Sequence, residues 1–170
     1  MVTIRPELPD DAAAIHQLHK GAFAGDAEAQ LVNALRAAGR LYLSLVADQD
    51  EEIVGHVAFS PVRLEGAAAV TGGVGLAPLA VAAAVRRQGI GAQLVREGLA
   101  DCVRAGYGFV VVLGSPAYYG RFGFAPASRW GLADEYQGGA AFQALELRPG
   151  AIPAGARLVR YAPEFAPFAP

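Results

Sequence analysis

Residues 85–94, VRRQGIGAQL, join two arginines and two glycines to the start of a segment with helical periodicity. The first turn of a helix leaves up to four backbone N–H groups without partners, and its aligned peptide dipoles favour an anion. Gly89 and Gly91 stand where those amides fall and let a phosphate approach the backbone, with Arg86 and Arg87 alongside for charge. The chemistry on offer is pyrophosphate binding. Two other phosphate motifs are excluded. A dinucleotide fingerprint needs a third glycine where Leu94 stands, and a nucleoside-triphosphate loop needs a lysine before Ser or Thr, yet the only lysine is Lys20. Taken alone, the glycine pair serves either as a phosphate cradle or as simple helix capping.

Other residues able to do chemistry are few. His56, in GHVAFS, is either a base for an ammonium group or a hydrogen-bonded structural residue. Strand alternation sets His56 and Ser60 opposite Val57 and Phe59. His16 and His19 fall on the first helix, facing core or solvent. Tyr118 and Tyr119 are phenols that stay protonated at neutral pH; each is a proton donor or an aromatic anchor. Asp26, Glu28, Asp134 and Glu135 read as solvated caps that would also attract a cationic amine. Cys102 reads as a small buried hydrophobe, and a single cysteine excludes both a disulfide framework and a Cys-based zinc cluster.

The elements that must position these groups alternate in type. VTIRP (2–6) reads as a strand. PDDAAAIHQLHKGAF and DAEAQLVNALRAAG read as helices, the first capped by Asp10 or Asp11 with Ile15, Leu18 and His19 at helical spacing, the second capped by Asp26 and stopped by Gly39. YLSLVAD (42–48) and EIVGHVAFSPV (52–62) make a hairpin across an acidic turn. EGAAAVTGG is a small-residue loop before the apolar run VGLAPLAV (74–81). Pro78 cannot donate to a sheet ladder, so it predicts a bulge or a strand that parts from its neighbour. A helix from Gln88 to Ala105 follows, with Ile90, Leu94, Leu99 and Val103 on its apolar face, then the buried strand FVVVLG (109–114) and a short helix through AYYGRFGF. Two strands flank a Pro/Gly-rich loop near the end, and the tail APEFAPFAP reads as extended. Strand, helix and strand over 74–113 argue a parallel pair with a crossover helix inside an otherwise antiparallel sheet, in one domain spanning 1–170.

The length of 170 residues suits one domain, and the net charge of −2 gives no basic field for nucleic acid. No window holds the roughly 18 strongly apolar residues of a membrane span. The start MVTIRPELPDD lacks a signal-peptide core, so a cytoplasmic location is expected.

The stretch LAVAAAVRRQGIGAQLV resembles the acetyl-CoA signature of the GNAT superfamily of N-acetyltransferases, in which a Leu-x-Val strand end leads to [Q/R]-x-x-G-x-[G/A] at a helix start; Arg86, Gly89 and Gly91 match. FVVVLG and YYGRFGF match the second landmark, a strand followed by a Tyr-x-x-x-Gly-Phe helix end. The resemblance covers residues 2–147, leaving a C-terminal strand and Pro-rich tail over 148–170. VLGSPAYYGRFGFAPAS looks like a bacterial subgroup of mostly unknown substrate. The chain departs from the pattern at Ala83, where many members carry proline, and at Ser115, where relatives often carry Asp.

The resemblance implies an α/β fold, a mixed sheet whose central parallel pair splays apart, flanked by helices. It implies acetyl-CoA as co-substrate and no metal. The backbones of Leu79, Ala80 and Val81 would take the pantetheine amides and thioester carbonyl. Amides of Arg87, Gln88, Gly89, Ile90, Gly91 and Ala92, with Arg86 and Ser115, would take the pyrophosphate end. A primary amine of a small molecule or peptide would attack the thioester directly, so no enzyme nucleophile is needed. By register with GRFGF, Tyr119 would be the general acid, with Tyr118 one position out, and His56 the candidate base. The competing readings are a non-catalytic acyl-CoA-binding or sensor module and an interaction protein with an empty cleft. A homodimer is left open.

Overall fold

The computed structural model describes residues 1–66, 72–153, 155 and 157–168. Most of the small-residue loop in EGAAAVTGG lies outside the described residues. Strands β1 (Val2–Pro6), β2 (Leu43–Gln49) and β3 (Glu52–Glu65) form an antiparallel meander. The acidic turn between β2 and β3 is two residues long, and both Asp50 (φ 52°) and Glu51 (φ 69°) have positive φ. That backbone matches the twist of a tight hairpin. Helices α1 (Ala12–Ala22) and α2 (Ala27–Ala37) lie between β1 and β2 in sequence and cover one face of the sheet through Ile15, Val32 and Val46.

β4 (Gly73–Val81) runs antiparallel to β3, and α3 (Ile90–Arg104) crosses over to β5 (Phe109–Leu113), which is parallel to β4. The parallel pairing covers only Gly73–Gly75 against Phe109–Val111, whereas β4 follows β3 as far as Val81. A wedge therefore opens between β4 and β5. Pro78 sits in the part of β4 that has left β5, where its missing N–H costs no ladder bond. α4 (Pro116–Tyr119) follows β5, and a tight turn ends at Gly123 with φ 95°. The sheet continues through β8 (Phe142–Glu146) to β6 (Ala125–Pro126), while β7 (Leu132–Asp134) and β9 (Arg157–Arg160) pair with each other and β9 with the end of β3. Among the described residues the order is β1-β2-β3-β4-β5-β8-β6.

Two sequence expectations need correction. The buried side of α3 is Ile90, Leu94, Val95, Gly98 and Cys102, and Val103 is 55% exposed. Gly98 and Cys102 are small, so the helix turns this side onto Phe59 and the sheet, which leaves Val103 outward. The tail is not extended: Pro163–Phe168 coils into a 3-10 turn that seats Phe165 and Phe168 beside Leu31 and Leu35 of α2, with Glu164 paired to Arg40. Helices cover β3 on both faces, so His56, Val57, Phe59 and Ser60 are all enclosed and the alternation separates two interiors rather than core from solvent. Among the described residues, no helix is long and apolar enough to cross a membrane.

Candidate active site

The wedge between β4 and β5 is a cleft of about 650 Å³. Leu79 and Val81 form one wall, the head of α3 closes one end, and Ser115, Tyr118, Tyr119 and Arg121 form the other wall. The local backbone explains the head. Gly89 precedes α3 with φ 84°, and Arg87 also has positive φ at 63°. A non-glycine residue in that region stores strain, and alternating left-handed positions turn successive N–H groups toward one side. The first bond of α3 runs from Gln93 N–H to Gly89 O at 3.0 Å. Among the described residues the N–H groups of Ile90, Gly91 and Ala92 have no backbone acceptor. A side chain at Gly89 would meet nothing within 4 Å, whereas a Cβ at Gly91 would lie 2.9 Å from the Tyr118 hydroxyl. The amides are thus bare on the cleft side, as a diphosphate requires.

Arg86 and Arg87 both line the cleft, but their side chains are held differently. Arg87 lines the cleft and is exposed. The side chain of Arg86 instead donates from Nε to Val81 O and from Nη2 to Ala22 O, each at 3.1 Å, and so ties the end of α1 to the end of β4. Arg121 was not singled out from sequence. It stacks over the Tyr118 ring at 4.5 Å and donates to Tyr118 O at 3.2 Å, which brings a second free charge to the cleft. The available signal was its position three residues after Tyr118, one helical turn on.

Ser115 caps α4, accepting from Tyr118 N–H at 3.3 Å. The two tyrosines have separate places. Tyr118 reaches over the head of α3, while the Tyr119 ring packs beneath the end of β5 against Gly114 and stands edge-on to Phe124 at 5.7 Å. Burial, with Tyr118 adding a smaller push, raises the Tyr119 phenol to about 12. Ala80 is buried and faces His56 across the β3–β4 ladder.

His56 is fully enclosed, and both ring nitrogens are taken. Nδ1 lies 2.8 Å from His19 Nε2, and Nε2 lies 2.8 Å from Ser44 Oγ. Burial first, then His19 and Arg36, hold its pKa well below 6.5. His19 is equally enclosed rather than facing solvent, and His16 bonds to Asn33 at 3.0 Å. Asp134 and Glu135 are not solvated caps. Asp134 is buried and accepts from Tyr136 and Gly138 N–H, while Glu135 accepts from Tyr161 N–H and Arg160, so both brace the β7–β9 layer. A second cavity, of about 470 Å³, lies over that layer, but its Arg40 and Arg160 are already paired with Glu164, Glu65 and Glu135.

A splayed parallel pair with bare helix-head amides at its mouth defines a class. Residues 3–127 match the family described as the acetyltransferase (GNAT) domain, and the chain belongs to that family and is an acyltransferase. Its particular likenesses follow. It is 45% identical over 167 residues, 97% of this chain and 99% of the relative, to the N-acetyltransferase YhbS of Escherichia coli K12. The crystal structure of E. coli YhbS in complex with CoA superimposes with a TM-score of 0.91 at 44% identity, over 96% of this chain and 91% of that one. A GNAT family acetyltransferase from Brucella melitensis, in complex with acetyl-CoA, gives 0.80 at 40% identity, over 97% of this chain and 98% of that one. The mixed α/β sheet with its β4–β5 parallel pair is the GNAT fold.

Proposed function

We propose that this chain uses acetyl-CoA to acetylate a primary amine of a small molecule or peptide by direct attack on the thioester. The observation that carries the reading is the β4–β5 wedge with the unpaired amides of Ile90, Gly91 and Ala92 at its mouth. The CoA and acetyl-CoA bound by the two similar structures support it. In this reading the head of α3, from Arg87 to Ala92, holds the pyrophosphate, with Arg87 and Arg121 for charge and Ser115 at the rim. Arg86 serves by holding the wall in place. The open edge of β4 at Leu79, Ala80 and Val81 receives the pantetheine arm, and an N–H there meets the oxyanion as it develops.

Tyr119, the general acid by register, donates a hydrogen bond to the departing sulfur. Its phenol near 12 stays protonated through the neutral range. A thiol has a pKa of about 8.5, so full transfer to the thiolate is uphill by ~5 kcal/mol. The phenol therefore acts by a hydrogen bond that strengthens as charge builds on sulfur, and the amine's own second proton completes the thiol. His56 has no free nitrogen to offer an amine, and its part is a positioning one.

The test is calorimetric titration with acetyl-CoA, followed by thiol-release assays on a panel of primary amines. Wild type should bind in the micromolar range. Gly89→Glu, which sets a charged side chain among the amides, should abolish binding. Tyr119→Phe should keep binding and lower kcat about 100-fold. A folded wild type that fails to bind acetyl-CoA would sink the proposal. Binding without turnover on any amine would favour an acyl-CoA sensor.

A further inference from the structure

We propose that Arg96 and Arg121, gathered on the Phe122 ring at the mouth of the cleft, bind the 3′-phosphate of the acyl-CoA, so that the chain selects CoA thioesters over those of dephospho-CoA. This rests on the acetyltransferase reading above and deepens it.

The first observation is where the acids are not. From Gly66 to Arg96, and again from Cys102 to Ala133, the sequence has no Asp or Glu. Those two stretches supply β4, the head of α3, β5, α4 and the turn after it, which together frame the cleft. Residues 66–133 hold six arginines against two acids, Glu97 and Asp101, a balance of +4. The rest of the chain holds eight basic residues against fourteen acids, a balance of −6. A protein of net charge −2 thus sets its positive charge around one cleft, and a cleft lined by one sign of charge concentrates anions.

The second observation is how the free guanidiniums are held. Of the six, Arg86 is bound to Val81 O and Ala22 O, Arg104 is paired with Asp101, and Arg129 lies over Trp130. Arg87, Arg96 and Arg121 remain, all exposed, and among the described residues none of them is bonded to a carboxylate. The guanidinium centres of Arg96 and Arg121 each lie 5.2 Å from the centre of the Phe122 ring. Arg121 also lies 4.5 Å from the Tyr118 ring centre and donates its Nε–H to Tyr118 O at 3.2 Å. Its terminal nitrogens, and the whole guanidinium of Arg96, have no protein acceptor among the described residues. The positions one turn from Arg96 on α3 are Ala92, Gln93, Leu99 and Ala100, so no acid faces it along the helix. Two like charges drawn to one ring repel each other, and the attraction of an exposed ring is small, so an anion that both can reach relieves the arrangement.

The third observation ties this pair to the cofactor. Tyr118 stands edge-on to Phe122 at 5.5 Å, and its hydroxyl reaches over Gly91, where a Cβ would lie 2.9 Å away. Arg121 lines the cleft itself. Arg96 is six residues into α3, which sets its Cα about 9 Å along the axis behind the helix head. The bare amides of Ile90, Gly91 and Ala92 point the other way, out of the head, and with Arg87 they serve the pyrophosphate. Arg96 is therefore left over by the pyrophosphate site. In CoA the pyrophosphate and the 3′-phosphate hang on the 5′ and 3′ oxygens of one ribose. A pyrophosphate on the helix head thus carries the monoester to the cleft mouth, one sugar ring away. That monoester bears close to two negative charges at neutral pH and three acceptor oxygens, which suits two guanidinium forks with unspent N–H groups.

The test is calorimetric titration with acetyl-CoA and with acetyl-dephospho-CoA, which differ only in the 3′-phosphate. The proteins are wild type, Arg96→Gln, Arg121→Gln and Arg129→Gln; all three arginines are exposed, so no substitution opens the core. Wild type should prefer acetyl-CoA about 20-fold. Arg96→Gln and Arg121→Gln should each cut that preference to about fivefold or less. Arg129→Gln removes the same charge from the same segment and should leave the preference unchanged. A wild-type preference below about threefold overturns the proposal. So does a preference that Arg96→Gln or Arg121→Gln leaves intact, with both ligands weakened alike, or one that Arg129→Gln reduces as much. In each of those cases acetyl-CoA still binds and the acetyltransferase reading stands. Failure of wild type to bind acetyl-CoA fells both.

Discussion

Mild acid should destabilise this chain before its carboxylates begin to matter. His19 and His56 have no exposed surface. Burial, with a lesser contribution from His16, lowers His19 from 6.5 to about 4, and burial with His19 and Arg36 places His56 well below 6.5. Both rings are therefore neutral in the native state, whereas in the unfolded chain each takes a proton as the pH falls through 6.5. Stability is untouched above that pH and is lost from 6.5 downward, ending for His19 near pH 4. Between pH 7 and 5.5 each histidine costs about 1.2 kcal/mol, so the pair costs ~2.5 kcal/mol by linkage. That is a large share of a typical domain's 5–15 kcal/mol. Asp11 beside Arg5 and Glu164 beside Arg40 are held below the usual carboxylate range, so stability from those pairs is lost only at lower pH. Urea unfolding at pH 7, 6 and 5.5 reads the effect directly, with the m-value expected constant. His19→Gln should halve the slope against pH. A stability flat to within about 0.5 kcal/mol from pH 7 to 5.5 would refute the claim that both rings are held neutral.

Two further perturbations test the packing that shapes the cleft. Gly98→Ala improves helix propensity by about 1 kcal/mol but places a Cβ 2.5 Å from the enclosed Phe59 ring, so urea unfolding should show a net loss of ~1–2 kcal/mol; a gain would mean the ring yields freely. Arg86→Lys keeps the charge but cannot span Val81 O and Ala22 O, so hydrogen exchange at the amides of 22–25 should quicken while acetyl-CoA affinity changes less than about threefold. Unchanged exchange with affinity lost more than about 10-fold would return Arg86 to the phosphate site.

What could be read from sequence was what local stereochemistry decides. The glycine turn at 89–91, the hairpin at Asp50 and Glu51, and the parting strand at Pro78 each depend on residues within a few positions. The hydrogen-bonded row of Glu7, Ser44, His56 and His19 was not legible, because its bonds join residues 37, 12 and 37 apart in sequence. The helical spacing of Ile15, Leu18 and His19 was visible, but helical spacing does not say what polar partner waits opposite a buried histidine. The second role of Arg86 was hidden for a related reason. A guanidinium in a glycine-rich turn has the right charge for phosphate, yet the docking of α1, which no local pattern encodes, presents it with Ala22 O. Glu135 was misjudged likewise, since its partners Arg160 and Tyr161 lie 25 and 26 residues on, whereas Asp134 was misjudged although its partners Tyr136 and Gly138 are local.

The cleft is built into the packing of its closed end. Gly73 and Gly75 are the β4 residues that pair with β5 together with Val74. A Cβ at Gly73 would collide with the Phe109 ring, and one at Gly75 would lie 3.0 Å from the Tyr161 ring. Two large aromatic rings therefore occupy the space that side chains would take, and they pin the strands together there. Beyond Gly75 the force reverses: β4 stays on β3 as far as Val81 while Arg86 holds that end to α1, so β4 cannot follow β5. Strand separation is thus set by fixed contacts on both sides of β4. A cleft held open by its own core needs little ordering when a ligand enters, which reduces the conformational cost of binding and leaves the helix-head amides free to supply affinity.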